Sequence, residues 1–231
     1  MKTPKQGEMM YFRDYQIHVF DCDGVVLNSN KIKTEAFYQA ALPYGETAAR
    51  RLVEYHTSNG GMSRYKKFAH FLDEIVPVAA PGRTGPSFES LLKRYADGAR
   101  EGLMTCEVAP GLQQLRDQAP NAKWLIVSAG DQDELREIFA VRGLADLFDG
   151  GIYGSPRTKI EILEHALGDG PFKRSGLLIG DSKYDYEAAM FAGLDFVFLS
   201  DWTEVNGWQE WADENSISVR KALKELLFDP V

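Results

Sequence analysis

The sequence predicts an α/β fold: a doubly wound parallel sheet with a small all-helical domain inserted into it. Three observations predict it. Short apolar runs at 17–20, 124–127, 177–179 and 196–199 alternate with segments of helical periodicity, the pattern of a parallel sheet with helices on both faces. These runs carry almost no polar residues, as strands buried on both sides do. Finally, 31–103 shows helical spacing alone, so a helical unit interrupts the sheet after its first strand. The expected division is a core of 1–27 and 109–231 and a helical domain of 28–108.

Taken in order, 1–15 is polar and reads as a loosely held lead-in. The first strand, 17–20, runs into Asp21-Cys22-Asp23-Gly24. Ile32, Ala36, Phe37, Ala40 and Ala41 recur at helical spacing over 31–42, and Pro43 and Gly45 stop that helix. A second helix is expected over 47–55, a loop over 57–61, and a third helix from Ser63 with Tyr65, Phe68, Ala69, Leu72 and Ile75 as its stripe. A loop follows over 77–86, then a helix over 87–103. Linkers near 27–30 and 105–110 are natural hinges. Beyond Pro110, strands and helices alternate. Asp131 with Glu134 and then Ser182 sit where helix caps belong. Trp202, Trp208 and Trp211 fall in an irregular tail and read as packing, and 218–227 reads as a closing helix.

The 231 residues are 44% hydrophobic and 26% charged, ordinary for a globular protein with a sizeable core. A net charge of −8 offers no general attraction to nucleic acid or anionic membranes. No apolar run is long enough to span a bilayer, and 1–12 lacks the apolar core of a signal peptide. Two cysteines, Cys22 and Cys106, make no disulfide framework. The expectation is a cytoplasmic protein, monomeric or a small homo-oligomer, with no nucleic-acid or membrane partner.

Asp21 and Asp23 fall at the carboxyl end of the first strand, where open α/β sheets bind ligands. Strand alternation would point both carboxylates one way and Cys22 the other. Two close carboxylates repel unless a cation joins them, and a hard cation such as Mg²⁺ suits oxygen ligands. Gly24 lets the backbone turn and a ligand approach. Two further strands end at Ser128 and Asp181, with Lys159 between them. Each alone reads as a turn, a cap or a solvated lysine. Together and in this order, Phe20-Asp21-Cys22-Asp23-Gly24-Val25, Ser128, Lys159 and Gly180-Asp181-Ser182-Lys183-Tyr184-Asp185 resemble the four motifs of the haloacid dehalogenase superfamily of phosphotransferases.

That resemblance implies a Mg²⁺-dependent phosphatase hydrolysing a small phosphomonoester, a sugar phosphate among the candidates, through an aspartyl-phosphate. A phosphomutase of the β-phosphoglucomutase type is the alternative. A dehalogenase or a phosphonate-cleaving enzyme would not need Asp23, and a non-catalytic binding protein would not need the full set. The chemistry is reasonable physically. A carboxylate about 4 Å from a phosphate dianion meets roughly 8 kcal/mol of repulsion at an effective dielectric near 20, which cations must cancel. Asp21 is the expected nucleophile and Asp23 the acid and base. Asp21, Asp181 and Asp185 are expected at the metal, where the resemblance adds the backbone carbonyl of Asp23. Asp185, one turn from Asp181, is expected to position a metal-bound water or Lys159. Lys159 adds a positive charge, and Ser128 with the N–H groups of Ala129 and Gly130 holds the transferring oxygens. The inserted helices correspond to a cap that sets substrate choice through the loop at Gly60 and through Arg64, while Lys66 and Lys67 read equally as a solvated basic face. Of the histidines, His18 reads as packed in its strand, His70 and His165 as surface or partly buried, and His56, near the loop of the inserted helices, as structural, with contact to substrate the alternative.

Overall fold

In the computed structural model, residues 10–167 and 175–231 are described. Six parallel strands form one sheet in the order β3-β2-β1-β4-β5-β6: β1 Ile17–Phe20, β2 Lys123–Asp131, β3 Gly151–Ser155, β4 Gly176–Gly180, β5 Asp195–Leu199 and β6 Ser218–Arg220. The central strand β1 pairs with β2 on one side and β4 on the other. The strand order therefore reverses beside β1, and a crevice opens there at the carboxyl ends.

Alternation along each strand divides the core in two. Phe20, Ile126, Leu177, Ile179 and Val197 face one apolar cluster, into which helices Leu112–Gln118 and Gln132–Val141 bury Leu115, Leu135, Ile138 and Phe139. Val19, Leu125, Val127, Leu178 and Phe198 face the other, covered by helices Lys159–Leu167, Lys183–Ala192 and Trp208–Glu214. Helices on both faces make the sheet doubly wound, as predicted.

Between β1 and β2 lie the inserted helices: α1 Asn30–Ala41, α2 Glu46–Ser58, α3 Arg64–His70, α4 Val76–Ala79 and α5 Phe88–Thr105. Counting on, Leu112–Gln118 is α6, Gln132–Val141 α7, Lys159–Leu167 α8, Lys183–Ala192 α9 and Trp208–Glu214 α10. The α1 face of Ala36, Phe37, Ala40 and Ala41 packs with Leu52, Phe68, Leu91, Tyr95 and Ala99. The two linkers pair with each other: the Asn28 N–H donates to the Glu107 carbonyl at 3.0 Å and the Ala109 N–H to the Val26 carbonyl at 2.9 Å.

Several local expectations are corrected. The lead-in is named for 1–15, of which 1–9 lie outside the described residues. Its described part is anchored: Phe12 is buried and stacks on His18 at 3.8 Å, and the Tyr15 hydroxyl donates to Asp195 at 2.8 Å. The loop set at 57–61 begins later, because α2 runs through Ser58. Ser63 stands at the start of α3 without a side-chain cap bond. The helix expected to stop at Pro77 continues to Ala79 through a wide turn at Phe71–Ile75. The chain stays helical through the widened turn into Val76–Ala79, so Pro77 removes one helical hydrogen bond without ending the helix. The segment 218–227 is no helix. Ser218–Arg220 pairs with β5 and Leu223–Leu227 is a short 3₁₀ turn, so the hydrogen bonds of an exposed β5 edge outweigh a weak helical pattern. Trp208 and Trp211 sit on α10 rather than in an irregular tail, and both rings pack on Phe198.

Candidate active site

Asp21 follows β1 directly. Its N–H donates to the Ile179 carbonyl of β4 at 3.0 Å, which ties the carboxylate to the crevice. One oxygen, Oδ1, receives the Cys22 N–H at 2.7 Å and the Lys159 ammonium at 2.9 Å. Lys159 opens α8, is 1% exposed, and also donates to Asp185. The other oxygen of Asp185 accepts the Ser182 N–H at 3.1 Å and the Ser182 hydroxyl at 2.6 Å. The Ser182–Asp185 capping box thus fixes α9 and aims Asp185 at Lys159. Of the two roles expected for Asp185, contact with Lys159 is the one seen. Asp181 follows β4, and its Oδ2 accepts from Asn30 Nδ2 at 2.6 Å.

Asp21, Asp181 and Asp185 are all buried, and each offers an oxygen within 4.8 Å of the others. Burial pushes the Asp21 carboxyl up, with Lys159 opposing and Asp185 and Asp23 adding to it. Burial likewise pushes Asp181 up, reinforced by Asp21 and Asp185. Three carboxylates share one lysine, leaving the ionised cluster two positive charges short of neutral. Hard oxygen donors with that deficit fit a divalent cation. The residues present therefore suit the Mg²⁺ that the sequence implies.

Asp23 does not continue the strand, because β1 ends at Phe20 and the chain turns. Its carboxylate is held by the inserted helices: Ser29 Oγ donates to Oδ1 and Lys33 Nζ to Oδ2, both at 2.6 Å. Burial works against the charge, yet the adjacent Lys33 ammonium and Ser29 hydroxyl hold the Asp23 carboxyl below its usual range. Asp21 and Asp23 still line one pocket. Gly24 has φ +76°, and a Cβ there would lie 2.1 Å from Asp181 Oδ2 and 2.4 Å from Asn30 Nδ2. Any side chain would occupy the place of the acidic cluster.

Ser128 is fully buried at the end of β2, and its hydroxyl accepts the Gly130 N–H at 3.0 Å. It shapes the turn, while Ala129 and Gly130 line the pocket and Ser128 does not. Gly60 also lines it. A Cβ on Gly60 would meet Ser182 Cβ at 3.2 Å, and one on Gly61 would meet Tyr184 at 2.7 Å. The glycines thus let the loop of the inserted helices lie on the start of α9.

Arg64 lines the pocket but is buried, with its guanidinium over the Tyr95 ring at 4.8 Å and paired with Glu134 of α7. Its Nε has no partner among the described residues. Tyr65 donates to Asp131 at 2.9 Å and Arg100 to Glu137 at 3.1 and 2.5 Å. Three acids along α7 are therefore held from the inserted helices, which close over the strand ends. Lys66 is exposed, as a solvated face requires, but Lys67 is 2% exposed and lines the pocket. The solvated reading of Lys67 is therefore wrong: it belongs to the buried stripe with Phe68. His56 also lines the pocket.

Sequence reasoning missed Asn30, Lys33 and Glu204. A signal existed for Lys33, which stands in phase with Ala36, Phe37 and Ala40 on the buried face of α1. Glu204 lies in a loop after β5, where no period points to it.

Among the described residues, no helix is long and apolar enough to cross a membrane. Residues 18–199 match the family model of haloacid dehalogenase-like hydrolases. No match is found among curated proteins. Among solved structures, the chain is similar to a predicted phosphoglycolate phosphatase from Haemophilus somnus 129pt, at 18% identity over 93% of this chain and 97% of that one, with a TM-score of 0.70. It is also similar to a β-phosphoglucomutase from Clostridium difficile, at 17% identity over 93% and 94% of the two chains and a TM-score of 0.67. A haloacid dehalogenase-like family hydrolase from Streptococcus pneumoniae aligns at 18% identity over 93% and 98%, with a TM-score of 0.65. At these identities the likeness establishes the fold, and the family match covers most of the chain. The chain belongs to the haloacid dehalogenase-like hydrolases.

Proposed function

We propose that the protein is a Mg²⁺-dependent phosphatase that hydrolyses a small phosphomonoester, with Asp21 carrying the phosphoryl group between two steps. The observation that supports it best is the buried cluster of Asp21, Asp181 and Asp185 around Lys159 at the strand ends. In this reading 1–27 and 109–231 are the catalytic core, 28–108 is the cap, and the paired linkers are its hinge.

A divalent cation held by Asp21, Asp181, Asp185 and the Asp23 carbonyl would cancel the repulsion between a carboxylate and a phosphate dianion. Lys159 fixes Asp21 Oδ1, which leaves Oδ2 to attack phosphorus as the bond to the alcohol oxygen breaks. Asp23 gives that oxygen a proton, then takes one from the water that cleaves the aspartyl-phosphate. It starts ionised and paired with Lys33, so before the first step that contact must loosen and the carboxylate must take up a proton from solvent. The turn of Ala129 and Gly130, shaped by Ser128, and the close approach at Gly24 hold the phosphoryl oxygens. Gly60 and Arg64 form part of the wall facing the alcohol portion.

The pocket, about 90 Å³, shares Gly60, Gly61, Met62 and Ala129 with a groove of about 570 Å³, and the products distinguish hydrolysis from a mutase. The test is phosphate release from a panel of phosphomonoesters, with and without Mg²⁺, in ¹⁸O-labelled water. Mg²⁺-dependent release with label in the phosphate supports the proposal. Isomerised sugar phosphate without matching release, stimulated by catalytic bisphosphate, overturns it in favour of the mutase.

A further inference from the structure

Three cations line the pocket and a fourth, Lys159, stands at the groove beside it; three of these four have carboxylate partners. Lys33 is paired with Asp23 and Arg64 with Glu134, while Lys159, which borders the adjoining groove, is shared by Asp21 and Asp185. Lys67 has no carboxylate within salt-bridge distance among the described residues. It is nonetheless the second most deeply buried of the four. Isolated buried ammonium groups are costly and are normally paired, so an unmatched one in a pocket wall calls for a ligand.

The surroundings of Lys67 show how its donors are arranged. Its Nζ lies 2.6 Å from His56 Nδ1 and 3.4 Å from the His56 carbonyl. His56 Nε2 lies 3.1 Å from Thr34 Oγ1, which donates its one proton to Glu204 at 2.6 Å. Thr34 must then accept from His56, so Nε2 carries the imidazole proton and Nδ1 is the acceptor. Lys67 donates one N–H to Nδ1 and makes one long contact to the carbonyl. Its third donor has no protein partner among the described residues. The Phe37 ring lies 5.5 Å from Nζ. Arg64, which lines the same pocket, has its Nε buried without a partner among the described residues.

Resting on the phosphatase reading, we propose that Lys67, oriented by His56, is a specificity residue that binds a second anionic group on the alcohol portion of the substrate. The phosphoryl group sits on the core wall at Asp21, and the second anion on the cap wall at Lys67. Asp21 and Lys67 line the same pocket, so one molecule can meet both. Burial pushes the Lys67 ammonium down to about 7, with Lys33 adding to the effect, and an arriving anion would restore its charge.

The probes are 2-phosphoglycolate, its uncharged amide, ethyl phosphate and 1,2-ethanediol bisphosphate, compared in the wild type, Lys67→Met and Lys67→Arg. The wild type is expected to prefer an anionic ester over the neutral pair by roughly tenfold or more in kcat/KM, the scale of one hydrogen bond to a charged group. Lys67→Met is expected to lower the anionic value at least roughly ten times more than the neutral ones, and Lys67→Arg to keep part of the preference. Preference for the carboxylate or for the bisphosphate identifies which anion is read. Equal loss on charged and neutral esters, or no preference in the wild type, overturns the proposal. Calorimetric binding of 2-phosphoglycolate to Asp21→Asn, with and without Lys67→Met, reads the contact without turnover. Weaker binding in the double variant supports it and equal binding overturns it. Should no ester be hydrolysed, the phosphatase reading fails, while this binding comparison still decides the role of Lys67.

Discussion

The two walls of the pocket are built differently. The core wall comes from separate chain segments, with Asp21 after β1, Ala129 in the last part of β2, Lys159 after β3 and Asp181 after β4. Its acids outnumber its one lysine. The cap wall comes from consecutive helices, where Lys33, His56, Arg64 and Lys67 stand among Phe37 and Tyr95, and its cations dominate. The core wall suits a metal and a phosphoryl group, and the cap wall suits what is attached to that group. On the proposed function, this difference divides the chemistry from the choice of substrate, and each division has its own way of failing.

The sharpest break should come from the core wall. Asp21→Asn is expected to lower turnover by more than about a thousandfold, some 4 kcal/mol in barrier, while near-native circular dichroism reports an intact fold. Retained turnover within that limit would remove Asp21 as the nucleophile.

A comparison below pH 7 needs a way to separate fold from site, and His18 provides one. It lies fully buried in β1, and its Nε2–H donates to the Phe12 carbonyl at 2.8 Å. Desolvation holds it neutral and pushes its pKa down to about 4, although the Phe12 bond opposes this. The unfolded chain takes up this proton near pH 6.5 and the fold resists it until about 4, so between those values the unfolded state binds more protons and acid destabilises the fold. The stability this contributes is complete above pH 6.5 and lost as pH falls through that window, by roughly 3 kcal/mol. Thermal unfolding from pH 7 to 4 should show this slope in the wild type and a shallower one in His18→Gln. Identical slopes would take His18 out of the account.

Gly24→Ala would test how tightly the two walls meet. The new methyl would collide with Asp181 and Asn30 at a positive φ, and a displacement of that size costs on the order of a hundredfold in rate. Near-wild-type kinetics would mean that the crevice yields more easily than its geometry implies.

Asn30→Ala crosses the division. Asn30 belongs to α1 of the cap yet donates to Asp181 of the core. Loss of such a supporting bond typically weakens a metal about tenfold or more, so half-saturation by Mg²⁺ should rise by that factor. An unchanged requirement would leave the metal to the core wall alone.

The two walls also differed in how legible they were. The core wall could be read because each functional residue follows a buried apolar strand, and the strand period sets the place of Asp21, Ser128 and Asp181 before any contact is known. The sheet and its two layers followed from the same pattern. The cap wall could not be read that way. Lys33 and Lys67 occupy positions in phase with apolar stripes, where side-chain type suggests solvent and helix phase indicates burial. Phase prevailed, because Asp23 and His56 supply partners that only the folded chain brings near. The partner of Arg64, Glu134, lies 70 residues away, and no local pattern encodes such a pairing. The end of the chain misled for a similar reason: 218–220 is a strand only because β5 offers an open edge.

The central claim is that Asp21 carries the phosphoryl group. Acid quenching during a single turnover with Mg²⁺, followed by mass spectrometry of the peptide containing Asp21, tests it most directly. The account predicts a transient gain of one phosphoryl mass on Asp21 that rises and decays as phosphate is released, and that is absent in Asp21→Asn. Phosphate release with Asp21 unmodified throughout would contradict it.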